Sequence, residues 1–115
     1  MTDRKLQQLL RVWQQRLRLQ DWDIAVAQVP LGTWSSSKQW GDCGIGSTKH
    51  FADIQILQEQ FHTSDTDSME LILVHELLHV VFPSCRIGVG DGVENTLYEE
   101  GIDRAAKALV AAYND

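Results

Sequence analysis

The stretch Met69-Glu70-Leu71-Ile72-Leu73-Val74-His75-Glu76-Leu77-Leu78-His79-Val80-Val81-Phe82 decides how this chain is read. It is the most apolar run of the sequence, yet it carries His75, Glu76 and His79 in H-E-x-x-H spacing. On an α-helix, residues four apart share a face one turn apart. Two imidazoles so placed can reach one metal ion. Glu76 projects toward the same side and can take a proton from water there, without binding the metal itself. The flanks Leu71 to Val74 and Val80 to Phe82 are apolar almost all round, which predicts a buried helix. Polar groups on a buried helix need partners, and a metal with its water satisfies all three side chains. Zinc suits the donor set, because it takes nitrogen and oxygen ligands and keeps one position open when catalytic. Ordinary packing or capping histidines are the competing explanation of the spacing.

Working outward, the 115 residues fit one domain, residues 1–115. Forty-three per cent of them are hydrophobic, ordinary for a globular protein, and no apolar stretch approaches a membrane span. A net charge of −6 argues against broad binding to nucleic acid phosphates. The start, Met1-Thr2-Asp3-Arg4-Lys5, leads into an amphipathic segment and not into the apolar core of a secretion signal. The expectation is therefore a cytoplasmic protein with no membrane association. Two cysteines, Cys43 and Cys85, do not suggest a disulfide framework.

Upstream of the central run, Leu6, Leu9, Leu10, Trp13 and Leu17 form one apolar face, which predicts a helix over residues 3–19. Trp22 to Val29 reads as a strand with Trp22, Ile24 and Val26 on one face, and Pro30 ends it. Residues 31–49 read as a glycine-punctuated loop with one short strand near Ile45 to Lys49, where Gly41, Gly44 and Gly46 suggest turns or bulges. Phe51 to Gln58 alternates as a second clear strand. Asp67-Ser68-Met69-Glu70 has capping-box spacing with an acidic residue at the cap. Pro83 stops the central helix. Glu94 to Tyr113 reads as a final helix whose apolar face holds Leu97, Tyr98, Ile102, Ala105, Ala106, Leu109 and Tyr113. The fold class implied is α+β: an N-terminal helix, a small antiparallel or mixed sheet of about three strands, the central helix and a C-terminal helix.

A catalytic zinc commonly has three protein ligands. Cys85 lies where the third histidine of the H-E-x-x-H-x-x-G-x-x-H pattern would fall, but Phe82 replaces the turn glycine. Among the acidic residues of the last helix, Glu100 shares a solvated face with Asp103, Arg104 and Lys107, and Glu94 sits at the fraying start. Glu99 borders the apolar face on a rigid part of the helix and leads as third ligand. Asp103, one turn on, either accepts the remaining N–H of a ligating histidine or pairs with Lys107 at i+4.

His75-Glu76-x-x-His79 followed by Glu99-x-x-x-Asp103 resembles the gluzincin class of zinc metallopeptidases. The string Glu99 to Ala106 is similar to the glutamate helix of small phage and prophage metallopeptidases, the minimal single-domain form. The likeness covers about the last half of the chain closely. It implies a zincin-like fold, one zinc ion per chain held by His75, His79 and Glu99, and Glu76 as general base. The implied activity is peptide-bond hydrolysis, with a peptide or protein as substrate. Unlike the larger members, the sequence shows no separate C-terminal domain to supply an oxyanion-stabilising histidine. His50, His62, Tyr98 and Tyr113 are the candidate donors for that task. If Phe51 to Gln58 is an exposed sheet edge above the site, a peptide can pair with it. The alternative is a non-catalytic, zinc-stabilised domain that recognises a protein partner, with Cys85 or Cys43 closing the site as fourth ligand.

Overall fold

The computed structural model describes residues 1–30, 41–45, 50–58, 68–82 and 93–114, with the backbone alone at 42 and 93–95. The elements in chain order are α1 (Asp3–Arg16), β1 (Asp23–Val29), β2 (Gly41–Ile45), β3 (Phe51–Leu57), α2 (Met69–Val81) and α3 (Val93–Asn114). This is the α+β class, with a three-stranded mixed sheet in the order β1-β3-β2.

α1 begins where Thr2 Oγ1 accepts the Lys5 N–H at 3.2 Å. It stops at Arg16, short of the expected Leu19. Arg18 takes a left-handed φ of 60°, and the Leu19 and Arg18 N–H groups bond back to the Gln14 and Gln15 carbonyls at 2.7 and 3.2 Å. That is the hydrogen-bond pattern of a Schellman stop, usually built on glycine. Placing an arginine there costs about 1–2 kcal/mol. Burial of Leu19, only 6% exposed, offsets it.

β3 is the middle strand, parallel to β1 and antiparallel to β2. The expectation that it forms an exposed edge is therefore overturned: neighbours occupy both of its hydrogen-bonding sides. The expected alternation does hold, since Ala52, Ile54 and Ile56 are fully buried. Leu57 is buried too, on the otherwise polar side. β2 runs through Gly41 and Gly44 to Ile45; of the strand expected near Ile45 to Lys49, residues 46–49 are outside the described residues. At the other margin, Gln7 of α1 donates to the Val26 carbonyl of β1 at 2.8 Å.

α2 runs across the inner face of the sheet between α1 and α3, as its sequence predicts for a helix apolar on every side. Leu73, Val74 and Leu77 are fully buried. Each contributes about 1.5–3 kcal/mol by leaving water. Its cap is Ser68, whose Oγ accepts the Leu71 N–H at 3.1 Å. Asp67, the expected cap, lies outside the described residues, and with Ser68 as the cap Glu70 is the second helical residue and not the third that a capping box uses. Its carboxylate instead accepts the Trp13 indole N–H at 2.8 Å and the Asn114 amide at 2.7 Å, tying α1 and α3 to the start of α2. Tyr113 packs edge-on against Trp13, and the Arg16 guanidinium lies over both rings.

α3 runs antiparallel to α2, with Asn114 beside Glu70 at one end and Tyr98 beside His79 at the other. Ile102 and Ala106 face the core, as the periodicity indicates. Leu97 does not: it is 61% exposed, because the row through Tyr98, Ile102 and Ala106 takes the contact and Leu97 lies about 100° away around the helix. No helix among the described residues is long and apolar enough to cross a membrane.

Candidate metal centre

His75 and His79 leave α2 one turn apart, with ring centroids 5.2 Å from each other. Glu99 reaches them from α3. Its Oε2 stands 3.4 Å from His75 Nε2 and 3.5 Å from His79 Nε2. One donor atom from each of the three side chains lies within 4.8 Å of the others, so the group can hold a metal ion.

The separations test that statement. An N–H···O hydrogen bond spans about 2.7–3.2 Å, so these contacts are too long to be bonds between histidine and carboxylate. Two ligands about 2.1 Å from a shared ion at the tetrahedral angle stand about 3.4 Å apart. The two carboxylate–imidazole separations match those of ligands on a common ion, and the donor chemistry of two imidazoles and a carboxylate agrees with it. The group is partly shielded from water: the His79 side chain is 6% exposed, that of His75 24% and that of Glu99 29%.

Each imidazole is also met on its second nitrogen from α3. Asp103 Oδ1 is 3.7 Å from His75 Nδ1, while its Oδ2 pairs with Lys107 Nζ at 2.8 Å. Of the two roles weighed for Asp103, the pairing with Lys107 is made, while its other oxygen faces His75 Nδ1 from beyond hydrogen-bonding distance. Tyr98 Oη is 2.8 Å from His79 Nδ1 and donates to the Phe82 carbonyl at 3.1 Å. This removes Tyr98 from the candidate oxyanion donors, since its hydroxyl addresses the back of His79 and not the Nε2 side where the donors converge.

Glu76 is 5% exposed beside the two histidines. The reason is Gly41 of β2. A Cβ there would stand 2.8 Å from Ile72 Cγ2 and 3.0 Å from Glu76 Cγ, so only glycine lets the strand pass this close over α2. Sequence reading treated Gly41 as a turn signal and missed this role. A glycine inside a strand marks close backbone approach as readily as a turn, and that was the available clue.

The remaining candidates disperse. His50 stacks on Trp22 at 4.9 Å and pairs with Asp21 at 3.4 Å, at the start of β1. Tyr113 stacks on Trp13 at the far end of α3. Glu100 is exposed, as its solvated face implied. His62, Cys85 and the side chain of Glu94 lie outside the described residues. Cys43 sits in β2 partly buried, packed against the core and not in the His75, His79 and Glu99 group. Comparison of the chain with models of protein families, with curated proteins and with solved structures found no match.

Proposed function

We propose that the chain is a zinc-dependent peptide hydrolase in which His75, His79 and Glu99 bind one zinc ion and Glu76 is the general base. The observation that carries this reading is the convergence of Glu99 on both histidines at 3.4 and 3.5 Å, with Glu76 on the same helix between them. Zinc bound there would polarise a scissile carbonyl and bring the pKa of water down to about 7. Glu76 accepts the proton that the attacking water gives up and delivers it to the departing amine as the C–N bond breaks, so that water and amide become carboxylate and amine. Gly41 lies close over the stem of Glu76. Burial beside the apolar face of α2 limits competing bulk water.

The substrate in this reading is an extended peptide or protein segment. Among the described residues β2 pairs only with β3, and Gly41 brings it over Glu76. β2 thus takes over the pairing role that sequence reading gave to Phe51–Gln58: a peptide added along it would lie across the site.

Two measurements test the proposal together. Zinc titration of chelator-stripped protein should show uptake of about one ion per chain. An unbiased peptide-cleavage screen should then give products with the wild type and almost none with Glu76→Gln, which cannot accept the proton. Absence of zinc uptake overturns the metal site. Equal cleavage by Glu76→Gln overturns the mechanism. Zinc uptake with no cleavage by either protein turns the reading to the zinc-stabilised binding domain.

A further inference from the structure

We propose that Tyr98 is a positioning residue for the metal centre, fixing His79 in the tautomer that presents Nε2 to the ion. The inference rests on the reading of His75, His79 and Glu99 as a metal site.

The argument is one of donors and acceptors. The Phe82 carbonyl can only accept, and it receives the Tyr98 hydroxyl at 3.1 Å. That carbonyl follows the last turn of α2, where backbone carbonyls have no partner within the helix. The hydroxyl has one hydrogen, and it is committed there. His79 Nδ1 lies 2.8 Å from the same oxygen. For both contacts to be hydrogen bonds, Nδ1 must carry a proton and donate it to Oη. A neutral imidazole protonated at Nδ1 has its lone pair on Nε2, the nitrogen 3.5 Å from Glu99 Oε2.

Position on the helix supports this assignment. Tyr98 and Glu99 are consecutive, so one turn of α3 addresses both nitrogens of the same buried ring. Glu99 stands at Nε2 and Tyr98 at Nδ1. His75 is treated differently: Asp103 faces its Nδ1 from 3.7 Å and is shared with Lys107. The His79 contact is shorter and drier, so it is the tighter of the two restraints. Neutral hydroxyl support at His79 and carboxylate support at His75 also keep a second full negative charge out of the more buried side of the site. A hydroxyl that accepts from an imidazole orients it without adding the charge that a carboxylate would bring.

The test uses Tyr98→Phe, which keeps the ring and deletes only the hydroxyl, and Tyr113→Phe on the same helix as control. Chelator-stripped, nitrogen-15-labelled protein is examined at about pH 8.5, well above the ordinary histidine pKa of about 6.5. Long-range proton–nitrogen correlations then show which ring nitrogen of His79 bears the proton. Wild type and Tyr113→Phe should show Nδ1–H. Tyr98→Phe should show a mixture or Nε2–H, with zinc affinity by chelator competition reduced roughly ten- to a hundred-fold. An Nε2–H tautomer in the wild type overturns the proposal, as does unchanged tautomer or unchanged affinity in Tyr98→Phe. A wild type that shows Nδ1–H, loses it in Tyr98→Phe and takes up no zinc would uphold the hydrogen-bond lock and overturn the metal reading beneath it.

Discussion

The antiparallel pair α2 and α3 meets at two polar clusters, one at each end. At the Glu70 end, a carboxylate accepts from the Trp13 indole and from the Asn114 amide at 2.8 and 2.7 Å. At the His79 end, a carboxylate stands 3.4 and 3.5 Å from two imidazole nitrogens. Both clusters sit at the core margin of the same helix pair. In the first, the donors and the acceptor match in number and lie at hydrogen-bonding distance, so the group stitches three helices together. In the second, the carboxylate stands from each imidazole at the spacing of two ligands on one ion. Polar groups near a core can thus serve the fold or leave room for a ligand, and the difference shows in tenths of an ångström.

Four expected outcomes sharpen or break this contrast. The largest concerns turnover. Glu76→Gln should retain zinc and fold while losing about two to four orders of magnitude in the cleavage rate. Rates that match the wild type would mean the His79 end is not catalytic in the way proposed.

Next comes metal affinity. Glu99→Ala should weaken zinc binding by more than roughly ten-fold in chelator competition, while Glu100→Ala on the exposed face should change it little. Equal effects from the two would erase the distinction between a ligand and a surface charge.

The Glu70 end should respond in stability instead. Glu70→Ala strands the Trp13 indole, on a side chain that is fully buried, and should cost about 1–3 kcal/mol in denaturant unfolding. Zinc affinity of the folded variant should stay near the wild-type value. A large loss of affinity would show that the two ends are coupled along α3. The smallest effect is expected at Tyr113, half exposed beneath Arg16. Tyr113→Leu should cost roughly 0.5–1 kcal/mol, from a cation–π contact and an edge-on aromatic pair. A loss several times larger would mean that the end of α3 is held mainly by these rings and not by Glu70.

Much of the candidate site was legible in the sequence, for a physical reason that differs from residue to residue. His75, Glu76 and His79 share one helix, and their relation is set by helical geometry alone. Glu99 was selected over Glu100 by its angle around α3, again a property of one helix, and its side chain does turn inward. Asp103 was read as either of two contacts; it pairs with Lys107 at 2.8 Å and faces His75 Nδ1 only from 3.7 Å. Tyr98 was placed on the apolar face correctly, but as one of four candidate oxyanion donors among which no spacing rule selects. Its hydroxyl partner Phe82 caps another helix, and no spacing rule relates them.

What the sequence determined by itself is therefore what depends on neighbours a few residues apart: the helices α1, α2 and α3, the alternation of β1 and β3, and the H-E-x-x-H face. Hydrophobic period and local hydrogen bonding act at that range, and they leave their pattern in the order of residues. Tertiary structure decided the rest. β3 became the middle strand because β1 and β2 close on it from either side, a choice among pairings that each strand's own pattern permits equally. Gly41 became part of the site because β2 crosses α2 closely enough to exclude a Cβ. Glu70, read as a local cap, turned instead to Trp13 and Asn114. Those donors come from the two ends of the chain, and they meet Glu70 only after α1 and α3 have packed on α2.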